Sequence, residues 1–190
     1  MTHEEEFRYI LRLSALITRV LDKASAIEFP NWYLGGGPVA QTIWNYRHGF
    51  ELERGIKDID LVYFDPDLSY EKEDEYIQKG KGIFNDVPIP VEIRNEARVH
   101  LWYKRHFGYD IEPYTSTESA IDSWPVTATS IGVTQDKSGN LVTYAPFGLD
   151  DLLTMIIRPN KKQITEEIYL SKLNRWRNIW PNLNVISWSE

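Results

Sequence analysis

Cysteine is absent from the 190-residue chain. That excludes disulfides, thiolate nucleophiles and cysteine-bound zinc, and leaves carboxylate and histidine chemistry. No apolar run approaches the ~20 residues of a membrane-spanning helix. The opening Met1-Thr2-His3-Glu4-Glu5-Glu6 is acidic where a targeting leader would be basic. The chain is therefore expected to be soluble and cytoplasmic. A basic excess is lacking too, since 21 Lys and Arg against 28 Asp and Glu give a net charge of −7. A dedicated nucleic-acid-binding module, whose footprint is basic, is argued against. The balance favours small-molecule or transient macromolecular substrates, with local basic patches still able to bind RNA. No glycine run ends in Gly-Lys-Ser/Thr, the Rossmann fingerprint is missing, and no nucleophile elbow presents a serine. Repeats, low-complexity tracts and linkers are also missing, so residues 1–190 read as one domain. A chain of this length is expected to bury roughly 70% of the surface it exposes when unfolded.

What is present is ordinary globular material: 42% hydrophobic and 13% aromatic residues, with seven tryptophans. Phe7, Ile10, Leu11, Ser14, Ile17 and Leu21 recur at spacings of three and four, which predicts one helix over Glu4–Asp22. Trp32-Tyr33-Leu34 runs into Gly35-Gly36-Gly37, and Pro38 stands where the first turn of a second helix ending near Gly49 would begin. The glycines are thus a strand-to-helix turn. A strand is expected over 58–64, a charged helix over Ser69–Lys81, and an edge strand over Val87–Ile93 marked by Pro88 and Pro90. A helix capped by Asn95 carries Val99, Trp102, Tyr103 and Phe107, and Thr115-Ser116-Thr117-Glu118 opens a short helix. Val126–Thr134 and Leu141–Tyr144 flank Asp136-Lys137-Ser138-Gly139-Asn140 as a hairpin, and Gly148–Ile157 and Thr165–Ile179 read as the last helices. The fold class is α+β, with a small mixed or antiparallel sheet flanked by helices.

The strand Lys57-Asp58-Ile59-Asp60-Leu61-Val62-Tyr63-Phe64 carries two carboxylates at i and i+2, which project from one face while Ile59, Leu61 and Tyr63 face the other. Side by side they repel unless a divalent cation neutralises them, and hard oxygen donors of this kind suit Mg²⁺ bridging to phosphates. The nearby glycine turn lets backbone N–H groups approach those phosphates. Together these features point to a site for a nucleoside triphosphate and its metals. Arg94 and Arg98, four residues apart on a helical face, are candidates to grip phosphate oxygens. Lys161, Lys162, Arg175 and Arg177 form either a weak basic face or solubilising charge.

Gly35-Gly36-Gly37 followed by Asp58-Ile59-Asp60 resembles the nucleotidyltransferase signature of the DNA polymerase beta superfamily, most of all the head domain of CCA-adding enzymes. Glu92-Ile93-Arg94-Asn95-Glu96-Ala97-Arg98 and Ala145-Pro146-Phe147-Gly148-Leu149-Asp150-Asp151 resemble a small bacterial family of nucleotidyltransferases, over roughly residues 30–180. The resemblance implies a polymerase beta-like fold and an enzyme that moves a nucleoside monophosphate from a triphosphate to an acceptor hydroxyl. It implies that Gly35, Gly36 and Gly37 bind the triphosphate. Asp58 and Asp60 would ligand two Mg²⁺ ions, with Mn²⁺ as a substitute, and Glu92 would complete the site. Two departures stand out: the twenty residues between Gly37 and Asp58 form a longer gap than is usual, and Ala40 and Gln41 replace an arginine-aspartate pair. CCA addition is therefore not carried over, and the acceptor stays open between an RNA end, a protein and a small molecule. A monomer is expected. The competing readings are a nucleotide-binding regulatory domain without transfer, and an interaction protein whose carboxylates only make salt bridges.

Overall fold

The computed structural model describes residues Met1–Glu190. Its first departure from the sequence pattern comes early. The single expected helix is two, α1 (His3–Leu13) and α2 (Ala15–Ser25), broken at Ser14, whose backbone is extended and whose side chain accepts from the Ile17 N–H. A serine hydroxyl competes with the helix ladder for backbone groups, so one residue ends α1 and caps α2 while the apolar spacing continues across the break. Thr2 and Glu5 close a capping box at the start of α1.

The strands β1 (Tyr33–Gly35), β2 (Ile59–Tyr63), β3 (Val91–Asn95), β4 (Gly132–Gln135) and β5 (Leu141–Tyr144) form one sheet in the order β3-β2-β1-β4-β5. Only β2 and β3 run parallel; the remaining pairs are antiparallel. The parallel pair is joined by α4 (Tyr70–Ile83), which crosses over as such a pair requires. β3 is an edge strand, as its prolines suggested, but Pro88 and Pro90 lie just before it rather than within it. α3 (Gly37–His48) follows the glycine turn and ends at Gly49, which has φ of +67° and supplies the left-handed cap. Past β3 a 3-10 turn (Glu96–Arg98) leads into α5 (Val99–Phe107). The short α6 (Thr117–Ile121) is capped by Ser116, with Ser119 closing the box. The hairpin β4–β5 turns at Asp136–Asn140, where the Asp136 carboxylate accepts from the Ser138 and Asn140 N–H groups.

The stretch expected to be helical over 148–157 holds only α7 (Asp150–Leu153). Its tail is β6 (Ile156–Ile157), which pairs in parallel with β7 (Asn184–Val185). α8 (Glu166–Arg177) is the last helix. No helix is long and apolar enough to cross a membrane. One core of 36 buried apolar residues joins α1, α2, α3, α8 and the inner face of the sheet.

Within that core Asn45 is fully buried; it donates to the Leu52 and Arg54 carbonyls and accepts from the buried Trp180 Nε1 at 2.7 Å. It ties α3, the loop after it and the C-terminal segment together. Asn45→Ala strands three polar groups, so we expect a loss of about 2–4 kcal/mol in urea unfolding. A loss below about 0.5 kcal/mol would show that water replaces the amide.

Candidate active site

A cleft of about 500 Å³ opens over the outer face of β2 and β3. Its floor follows from sheet register. Parallel pairing sets Asp60 directly beside Glu92 and Val62 beside Arg94, so all four share the cleft face, while Ile59, Leu61 and Tyr63 are buried on the core side. Asp58 lies two residues before Asp60 and lines the same cleft. On its other edge β2 pairs with β1, which places Gly35 opposite Asp60 and brings the glycine turn to the carboxylates.

The three glycines are not equivalent. Gly35 is the strand end, and a Cβ there would stand 2.4 Å from the Trp124 ring, so its role is close packing. Gly36 has φ of +63° and donates its N–H to the Ile131 carbonyl at 2.9 Å; this is the position that needs glycine for its backbone. Gly37 opens α3. Gly36 and Gly37 line the cleft, beside the unpaired N–H groups of the helix start.

Glu92 is on the face expected of it. However, no three Asp, Glu or His side chains lie close enough together to hold one ion, and the Glu92 carboxylate instead accepts from Arg94 at 3.1 Å. That pair is largely solvent-exposed and therefore costs little to open, on the order of 1 kcal/mol or less. The donor set itself suits a hard divalent cation. Burial, with the neighbouring charges of Asp58 and Glu92 and against the pull of Arg94, pushes the Asp60 carboxyl up to about 6. A carboxylate in that position gains from a bound cation.

Arg94 belongs to the cleft, its guanidinium 5.6 Å from the Trp102 ring centroid. Arg98 does not. The two arginines share no helical face, since Arg94 is in β3 and Arg98 is in the 3-10 turn, where it pairs with Glu73 at 3.3 Å away from the cleft. The wall opposite the carboxylates comes from α8. Lys172 and Arg175, one turn apart, both line the cleft, and neither makes a salt bridge within the protein. Burial and the adjacent Arg175 lower the Lys172 pKa, while Asp60 and Asp58 partly restore it. Of Lys161, Lys162, Arg175 and Arg177, Arg175 alone reaches the cleft; Lys161 and Arg177 are exposed elsewhere, and Lys162 approaches Asp122. Lys172 escaped the sequence reading although its spacing to Arg175 on an amphipathic helix was a usable signal. Glu96 also escaped it. This residue lines the cleft and is only 3% exposed.

A mixed sheet that sets paired carboxylates beside a glycine turn and an unpaired cationic wall defines a nucleotidyltransferase type of domain. Residues 22–185 match the family described as Nucleotidyltransferase, and the chain belongs to that family. It is an enzyme of nucleotidyl transfer, with a nucleoside triphosphate as donor. A solved structure described as revealing a CCA-adding enzyme head domain is similar to this chain at 26% identity and a TM-score of 0.79, covering 96% of this chain and 95% of that one. No curated protein matches the chain.

Asp60 carries a prediction about pH. Its native pKa of about 6 lies above the unfolded value near 3.8, so ionisation disfavours the folded state. The penalty is absent below about pH 4 and complete above about pH 6–7. With metal chelated, Asp60→Asn should therefore stabilise the protein at pH 7.5 by roughly 1 kcal/mol, a figure reduced because the carboxyl faces the open cleft. The gain should fade as pH falls to 4. Thermal melts of both proteins across that range check it; parallel curves would mean that Asp60 is fully hydrated.

Proposed function

We propose that the protein transfers a nucleoside monophosphate from a triphosphate to an acceptor hydroxyl, releasing pyrophosphate, with Asp58, Asp60 and Glu92 as ligands of Mg²⁺. The observation that carries this reading is the alignment of these three carboxylates on one sheet face, between the glycine turn and the unpaired Lys172 and Arg175. Two Mg²⁺ ions, or Mn²⁺ in their place, would neutralise the charge that grows on the attacking and leaving oxygens. The chain's own residues account for the rest. The N–H groups of Gly37 and the start of α3 receive phosphate oxygens, and Gly36 turns the chain so that they face the cleft. Lys172 and Arg175 receive the β- and γ-phosphates from the far wall and follow the charge onto departing pyrophosphate. The acceptor oxygen attacks the α-phosphorus, the bond to the bridging oxygen breaks, and the hydroxyl proton leaves through the carboxylates of the floor. Arg94 exchanges Glu92 for a phosphate oxygen when substrate enters. Arg98 and Gly35 shape the site without touching substrate. The whole of 1–190 acts as one domain.

A second reading, nucleotide binding without transfer, draws on the Glu92–Arg94 pair and on the lack of any three carboxylates close enough to hold one ion. The two are separated by incubating each labelled triphosphate with cell extract, with and without Mg²⁺, and following both label and pyrophosphate. Transfer predicts Mg²⁺-dependent labelling of an acceptor that is lost in Asp58→Asn and Asp60→Asn. Binding with no pyrophosphate release in any extract would leave the second reading.

Gly37→Ala tests the glycine turn. The new methyl would meet only the movable end of Gln41, at 2.9 Å, and Gly37 has no positive φ. Helix propensity favours alanine by up to about 1 kcal/mol. We expect unchanged or raised thermal stability together with triphosphate affinity weakened about tenfold, since the methyl stands where phosphate must approach. Parental affinity would make the turn purely structural.

A further inference from the structure

Glu96 is the one carboxyl of the cleft that the chemistry above does not use. Its carboxyl takes no hydrogen bond from any protein group, and what little of the residue is accessible opens onto the cleft. A buried polar group without a partner is costly, and the neighbours do not relieve it. Tyr114, Ser123 and Gln163 satisfy one another: the Tyr114 hydroxyl lies 2.8 Å from Ser123 Oγ and exchanges hydrogen bonds with the Gln163 amide. A ligand in the cleft can supply the partner that the protein does not.

The position says which part of the ligand. Alternation along β3 puts Glu92 and Arg94 on the cleft side, and Glu96, the first residue of the 3-10 turn that follows, lines the same cleft. At ~3.3 Å per residue the chain can set Glu96 at most roughly 13 Å from Glu92, within the length of a nucleoside monophosphate from its phosphorus to the edge of its base. The cleft is also lined by Trp102, Tyr103 and Trp124, whose rings are surfaces on which a base of any identity stacks.

We propose that Glu96 anchors the nucleobase of the bound triphosphate in the cleft, and that it does so without choosing between bases. This rests on the transferase reading. Burial first, and then the negative charges of Asp60 and Glu73, push the Glu96 carboxyl up to about 8 against the pull of Arg94, so it is largely neutral near pH 7. A neutral carboxyl presents a donor and an acceptor side by side and can turn either way round. It therefore complements the amino group and ring nitrogen of adenine or cytosine, and equally the carbonyl and ring N–H of guanine or uracil. An ionised carboxylate, which only accepts, would instead favour guanine.

The test compares the parent with Glu96→Gln and Glu96→Leu, measuring binding of each nucleoside triphosphate and of inorganic tripolyphosphate, which has no base, in the presence of Mg²⁺. The parent should bind the four nucleotides within about tenfold of one another, and all of them more tightly than tripolyphosphate. Glu96→Gln, whose amide keeps the donor and acceptor, should stay close to the parent. Glu96→Leu should weaken every nucleotide about tenfold or more while leaving tripolyphosphate unchanged, and it should melt no lower, since it removes an unpartnered polar group. Three results would overturn the proposal: undiminished nucleotide binding by a folded Glu96→Leu, an equal loss for tripolyphosphate, or a strong guanine preference in the parent. If the parent binds neither nucleotide nor tripolyphosphate, the transferase reading falls with it.

Discussion

The site depends on the register of a single strand pair. Asp60 faces Glu92 because β2 and β3 run parallel with Ile59 beside Val91 and Tyr63 beside Asn95. A slip of one residue would turn one strand's carboxylate to the opposite face. That register is not held by the carboxylates, which repel. It is held from the other side of the sheet, where Ile59, Leu61 and Tyr63 are buried, each contributing roughly 2 kcal/mol that a slip of β2 would forfeit. The hydrophobic face thus fixes the geometry of a polar face that would not choose it.

Left to itself, the cleft is electrostatically unfinished. Asp58, Asp60 and Glu92 crowd one side, Lys172 and Arg175 stand unpaired on the other, and only the exposed Arg94–Glu92 pair joins opposite charges within it. Burial penalises the charged forms of both Asp60 and Lys172. A cation alone would answer the carboxylates and an anion alone the α8 wall. A metal-bound polyphosphate answers both in one ligand, which is the electrostatic reason for favouring a triphosphate over a simple metal or a simple anion.

How much of this could be read from the chain alone depends on how local each signal is. Asp58, Asp60 and the glycine turn were legible because an i, i+2 pair and a Gly-Gly-Gly-Pro run fix their own geometry; Glu92 was legible through its resemblance, and β3 duly carries it. The strand order was not legible beyond its mixed character, nor was the split of the first helix, since Ser14 fits the apolar spacing and breaks the backbone instead. Arg98 was misplaced because the strand extends through Asn95, so that residues 94 and 98 never share a helix. Lys172 and Glu96 were missed for a different reason. Each becomes a site residue through tertiary packing some eighty or more residues distant from one of its neighbours in the cleft, or by losing water that the sequence does not record.

The two walls of the cleft are nonetheless linked by one element. The start of α3 forms the glycine turn, and one to two turns further on the same helix presents Trp44, whose ring packs edge-on against Trp176 at 5.2 Å and Trp180 at 5.4 Å. Trp176 follows Arg175 directly on α8, so the distance from the carboxylates to the basic wall is set by aromatic packing beneath the cleft rather than by any contact across it. Close-packed rings resist compression and do not vary continuously. The width available to a triphosphate is therefore fixed before the ligand arrives, and the charges on either side can remain apart, unpaired, without collapsing onto each other.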